Sequence, residues 1–142
     1  MKVLIDTNVM IDAITKRDGA SSFSADVIAL CSSKMITGFA APHSFSNLYY
    51  ILRKEYSDKN RRIIINEYCK ILDVVSMNED VINAALNNNN ITDFEDAIQY
   101  ACAESVGADY IVTRNVKDYS RSSIKALSPE EFLRTTEKER AT

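Results

Sequence analysis

The sequence predicts an α/β domain, with a central, mainly parallel sheet flanked by helices, on three grounds. Short apolar runs alternate with longer stretches whose apolar residues recur every three or four positions, the order of a parallel sheet covered by helices. The composition, 46% hydrophobic and 26% charged with three Gly and two Pro, is that of a packed globular protein. The 142 residues are enough for one sizeable core and too few for two.

Taken in order, Lys2 to Ile5 is the first strand. Helical segments follow to about Ser32, with Ala25, Val27, Ile28, Ala29, Leu30 and Cys31 at the apolar positions. Thr37 to Ala41 forms a second strand. His43 to Lys54 is a helix whose Phe45, Leu48, Tyr49 and Leu52 share a core-facing side. Arg61 to Leu72 repeats the pattern through Ile64, Tyr68, Ile71 and Leu72, and Asp73 to Ser76 is a short third strand. Three capping boxes then mark helix starts: Ser76 with Glu79, Thr92 with Glu95, and Ser128 with Glu131. The polar tract Asn87 to Asn90 is a loop. Tyr110 to Thr113 is the strongest strand, Ile124 to Leu127 another, and Pro129 opens a last helix over Glu130 to Arg134. The domain therefore spans 1–134, and 135–142 is a charged tail expected to fray.

Composition narrows the function. No run approaches the roughly 20 apolar residues of a membrane span, and Asp6 interrupts the first strand too early for a signal peptide, so a cytoplasmic protein without membrane attachment is expected. Cys31, Cys69 and Cys102 are widely spaced and odd in number, which fits buried, reduced residues and neither a disulfide framework nor a zinc site. A net charge of -3 and a pI near 5.2 rule out gripping nucleic acid by bulk attraction alone. A basic run does exist in Arg53, Lys54, Lys59, Arg61 and Arg62, either a guide for RNA or a solvated helix face. His43, the single histidine, reads as a surface or loop residue.

Chemistry concentrates where strands end. Asp6 leaves the C-terminal end of the first strand, the edge at which open α/β sheets bind ligands, and Thr7 and Asn8 add hydroxyl and amide oxygens. Asp6 also suits the N-cap of the next helix. Asp93 and Asp96 stand three apart at a helix start beside the apolar positions Phe94, Ile98, Ala101 and Cys102, while Glu95 is assigned to the capping box. Such acids also simply favour a helix N-terminus. Thr113, Arg114 and Asn115 follow the strongest strand, and Asp118 comes shortly after, either site groups or a solvated turn. Brought together, these carboxylates repel by about 4 kcal/mol per pair at about 4 Å, so the cluster calls for a cation, and hard oxygen donors favour Mg²⁺ or Mn²⁺. Either ion suits hydrolysis of a phosphodiester.

Leu4-Ile5-Asp6-Thr7-Asn8-Val9, Asp93-Phe94-Glu95-Asp96-Ala97 and Asp109 to Tyr119, in this order and at these separations, resemble the PIN domain. Ser128 to Phe132 looks like the closing helix of its VapC-like branch. The resemblance implies a three-layer α/β/α sandwich and a Mg²⁺- or Mn²⁺-dependent endoribonuclease. It also implies an RNA substrate, a homodimer, and neutralisation by an antitoxin as in type II toxin–antitoxin pairs. Carried over by position, Asp6, Asp96 and Asp118 would be catalytic and metal-binding. Asp93 would be an additional acid, Asn115 would stand beside Asp118, Thr7, Asn8 and Thr113 would orient these groups, and Arg114 would lie near a phosphate. Two departures stand out: Asn47 occupies the position where the family often has glutamate, and Asn115 stands where many relatives have aspartate.

These amides leave open a catalytically weak or inactive PIN-like module that binds RNA or protein. A haloacid-dehalogenase-type phosphotransferase would want an aspartate at position 8, and a receiver domain a lysine after the late strand. Neither pattern is present. The RNA target, the cleavage site and the antitoxin are not written in the residues.

Overall fold

The structure is a computed structural model that describes residues 1–15 and 21–141. The part of the early helical expectation that falls on residues 16–20 lies outside the described residues, as does Thr142.

Five strands, β1 (Lys2–Ile5), β2 (Thr37–Ala40), β3 (Asp73–Val74), β4 (Tyr110–Val112) and β5 (Lys125–Leu127), form one sheet in the order β3-β2-β1-β4-β5. Every pairing is parallel, with Leu4 opposite Phe39 on one side and Ile111 on the other. Among the described residues the helices are α1 (Thr7–Thr15), α2 (Ser21–Ser32), α3 (Pro42–Ile51), α4 (Asp58–Ile71), α5 (Glu79–Leu86), α6 (Phe94–Ser105) and α7 (Pro129–Ala141). Short 3-10 turns cover Leu52–Lys54 and Val116–Tyr119.

Each strand alternates its side chains between two faces, and both faces of β1 are apolar, so β1 takes the centre. Val3 and Ile5 pack with Val9, Met10, Val27, Leu48 and Phe132 beneath α1, α2, α3 and α7. Leu4 packs on the opposite side with Val81, Ala97, Ala101 and Cys102 from α5 and α6. The result is the three-layer α/β/α sandwich that the resemblance implied. Gly38 in β2 is required by space: a Cβ there would come within 2.6 Å of Cys31 Sγ and 2.7 Å of Leu72 Cδ2.

Several local expectations are corrected. The cap of α5 is Asn78, whose side chain accepts from Val81 N, and not Ser76. The cap of α6 is Asp93, accepting from Asp96 N at 3.0 Å, and not Thr92. Ser128 does accept from Glu131 N, as expected. The last helix does not stop at Arg134 but continues to Ala141, with Phe132 and Thr136 buried along it. Cys31 and Cys102 are buried, whereas Cys69 is exposed. Phe94, counted among the apolar positions of its helix, is 48% exposed, and Tyr50, beside Tyr49 of the expected core-facing side, is 62% exposed. Arg53 stacks on Tyr50 at 3.8 Å and Arg61 on Tyr49 at 4.0 Å, so part of the basic run lies on aromatic rings.

Candidate active site

The centre of the sheet is also its switch point: from β1 the chain builds one way through β2 and β3, and later the other way through β4 and β5. Segments leaving the C-terminal ends of neighbouring strands diverge there and open a crevice. Asp6 stands at that point. Its backbone N–H donates to the Val112 carbonyl at 3.0 Å, prolonging the β1–β4 pairing by one residue. Its carbonyl accepts from Val9 and Met10, so it also starts α1. The structural and site readings of Asp6 are therefore compatible.

The Asp6 side chain is 7% exposed. Its carboxylate accepts from Thr113 Oγ1 at 2.8 Å and from the backbone N–H groups of Thr7 and Asn8. Burial pushes the Asp6 carboxyl above its ordinary range, these three donors pull it back, and the Glu95 charge adds a smaller upward push. Thr113 is itself fixed, its N–H donating to the Leu127 carbonyl and its Oγ1 accepting from Asn115 N.

Asp6, Asp93, Asp96, Asn115 and Asp118 line one cleft together with Thr7, Asn8, Asn47 and Glu95. The cleft continues past Asp93, Asp96 and Asp118 toward Asn89, Asn90, Lys117 and Arg121. The Asp96 carboxyl is pushed up to about 7, first by burial and then by the charges of Asp93, Asp6 and Asp118, with the Tyr119 hydroxyl, 3.4 Å away, opposing. The charges of three aspartates lining the same cleft thus oppose that of Asp96.

The remaining expected residues have other duties. The Thr7 hydroxyl donates to Ser44 Oγ at 2.7 Å, and Gln99 Nε2 donates to the same oxygen at 3.1 Å, so this buried network ties α1, α3 and α6 together. Asn8 Oδ1 accepts from Arg114 N at 3.2 Å and holds the segment after β4 against α1. Arg114 reaches the buried Asp12 at 2.9 Å and is absent from the residues lining the cleft. Asp93 spends one oxygen on its helix cap.

The sequence reading missed Glu95. With Asp93 as the cap, Glu95 turns toward the cleft, where its Oε1 accepts from Asn47 Nδ2 at 2.5 Å and stands 3.8 Å from His43 Nε2. His43 is in the first turn of α3, its side chain 18% exposed, and not on a free surface or in a loop. Burial holds its imidazole below the ordinary range against the pull of Glu95. Asp12 was also missed, although a lone acid among Val9, Met10 and Ile11 was a visible signal of a buried ion pair.

Among the described residues no three Asp, Glu, His or Cys side chains already stand close enough to grip an ion. The donor set nevertheless fits a hard cation that keeps several waters: the charges acting on Asp96 are all carboxylates, and their mutual repulsion is what such a cation would relieve.

A parallel α/β/α sandwich with acids at its switch point defines a class, that of small α/β domains with an acidic cleft at the sheet's C-terminal edge. The PIN domain family model matches residues 2–117, and the chain belongs to that family. It is 26% identical over 136 residues to Ribonuclease VapC1 of Aquifex aeolicus, covering 92% of each chain. Its fold is shared with a toxin–antitoxin complex from Klebsiella pneumoniae, with a TM-score of 0.70 at 17% identity, covering 89% of this chain and 97% of that one. VapBC2 from Rickettsia felis, bound to a promoter DNA fragment, gives a TM-score of 0.69 at 16% identity over 90% and 98% of the two chains.

Proposed function

We propose that this chain is a Mg²⁺- or Mn²⁺-dependent endoribonuclease, the toxin of a type II toxin–antitoxin pair. The observation that carries the reading is the convergence of Asp6, Asp96 and Asp118, from three separate parts of the chain, on one cleft at the sheet's switch point. Similarity to a ribonuclease over 92% of the chain supports the activity, and likeness in fold to toxin–antitoxin complexes supports an antitoxin partner. A homodimer acting on RNA in the cytoplasm completes the proposal. Among the described residues no helix is long and apolar enough to cross a membrane.

Asp6, Asp96 and Asp118 would hold the cation. When bound, it would lower the pKa of a water and offset charge developing on the phosphate. The chain's own residues provide the frame. Thr113 and the Thr7 and Asn8 N–H groups hold the Asp6 carboxylate in one orientation. Tyr119 does the same for Asp96 from the far wall. Lys117 and Arg121 bring positive charge to the outer part of the cleft, where a phosphate backbone would pass.

The test is cleavage of a mixed RNA pool with Mg²⁺, Mn²⁺ or EDTA by wild type and by Asp6→Asn. Metal-dependent cutting lost in the variant is the expected result. Equal cutting by both would refute the assigned centre, and no cutting by either would favour a PIN-like module that binds RNA or protein without hydrolysis.

A further inference from the structure

Glu95 and Asn47 lie 48 positions apart, on α6 and α3, yet they meet at 2.5 Å across the cleft. The pairing has a defined polarity: the Asn47 Nδ2 donates and the Glu95 Oε1 accepts, which holds the Glu95 side chain toward the cleft. Among the described residues, the other charged or titratable side chain within salt-bridge range of Glu95 is His43 at 3.8 Å. No lysine or arginine among the described residues neutralises Glu95 there.

A surface glutamate in the first turn of a helix has no need of an amide from another element, since the helix N-terminus already favours its charge. α3 presents the donor and α6 the acid that meets it, and the Glu95 charge is near enough to act on Asp6.

Building on the metal-dependent reading, we infer that Glu95 is a fourth carboxylate of the cation site, with Asn47 as its positioning residue. Asn47 does not itself need to touch the ion. It fixes the Glu95 rotamer over the cleft shared with Asp6, Asp96 and Asp118. Loss of such a supporting contact at a metal site costs about 10- to 100-fold in affinity or activity.

The swap of the two side chains provides the test, because N47E/E95Q keeps one carboxylate and one amide in hydrogen-bond contact with their helices exchanged. Mn²⁺ binding is measured by titration calorimetry on wild type, E95Q, N47E/E95Q and D6N, with thermal melts in EDTA to establish that each variant folds. E95Q is expected to bind Mn²⁺ at least about tenfold more weakly than wild type, and N47E/E95Q to recover most of that loss. RNA cleavage should follow the same order. Wild-type affinity in E95Q, or no recovery in N47E/E95Q, would overturn the inference. If D6N alone loses Mn²⁺ binding, the metal reading stands and the role of Glu95 falls. If wild type binds no Mn²⁺, both fall together.

Discussion

Asp96→Asn should stabilise this protein in the absence of divalent metal, and the gain should depend on pH. The Asp96 carboxyl sits at about 7 in the folded chain against 3.8 for an unperturbed aspartate. A raised carboxyl pKa means that the folded state holds a proton the unfolded state releases. Stability is therefore greatest below 3.8, declines as pH rises from 3.8 through about 7, and is flat above. In a site closed to water the full penalty would be about 4 kcal/mol, from about 1.4 kcal/mol per tenfold change in proton affinity. Water reaches one side of Asp96, and screening reduces this to about 1–2 kcal/mol. Asparagine keeps an oxygen for the Tyr119 hydroxyl and removes the charge that Asp93, Asp6 and Asp118 oppose. In EDTA, the advantage of the variant over wild type should grow from little near about pH 4.5 to about 1–2 kcal/mol near about pH 8. For a chain of this length that is a rise in melting temperature of about 3–7 °C. Thermal unfolding followed by circular dichroism across that range measures it. A constant difference between the two proteins, or a variant less stable than wild type at the alkaline end, would refute the electrostatic account of the cleft.

Two further outcomes follow from contacts away from the acids. Arg114→Met strands the buried Asp12, whose side chain is 8% exposed, while the guanidinium it loses is 45% exposed. Urea unfolding should show a loss of about 2 kcal/mol, below the value for a fully buried pair, with partial recovery in Asp12→Asn/Arg114→Met. Gly38→Ala drives a methyl into Cys31 Sγ and Leu72 Cδ2 and should cost about 1–3 kcal/mol by the same measurement. A neutral result there would mean that α2 and the end of α4 yield more easily than a packed core should.

What could be read from the residues follows the range of the forces involved. β1 was legible because three consecutive apolar residues, Val3 to Ile5, are buried on both faces, and that places the next residue, Asp6, at the sheet's edge without knowledge of any contact. The start of α6 was read one residue too early, at Thr92 in place of Asp93. One residue is about 100° of helix rotation, enough to turn Glu95 from a cap into a cleft residue. Local sequence cannot settle that choice, because Thr and Asp are both good caps and the deciding contact, Asn47, comes from another helix. The Asp12–Arg114 pair, 102 positions apart, and the Thr7–Ser44–Gln99 network are likewise tertiary facts, created when β4 docks beside β1 and α3 crosses α1 and α6. The α7 continuation was missed for a different reason: a charged segment reads as a fraying end, yet Phe132 is fully buried and Thr136 nearly so.

The central place of β1 sets a schedule for the growing polypeptide. The hydroxyl that orients Asp6, on Thr113, is polymerised 107 positions after it. At about 5–20 residues per second, ribosomes take roughly 5–20 s to span that interval. For all of that time the middle of the sheet lacks one of its two neighbours. In the endoribonuclease proposed above, Asp6 would be fully oriented only after β4 has been made and docked beside β1.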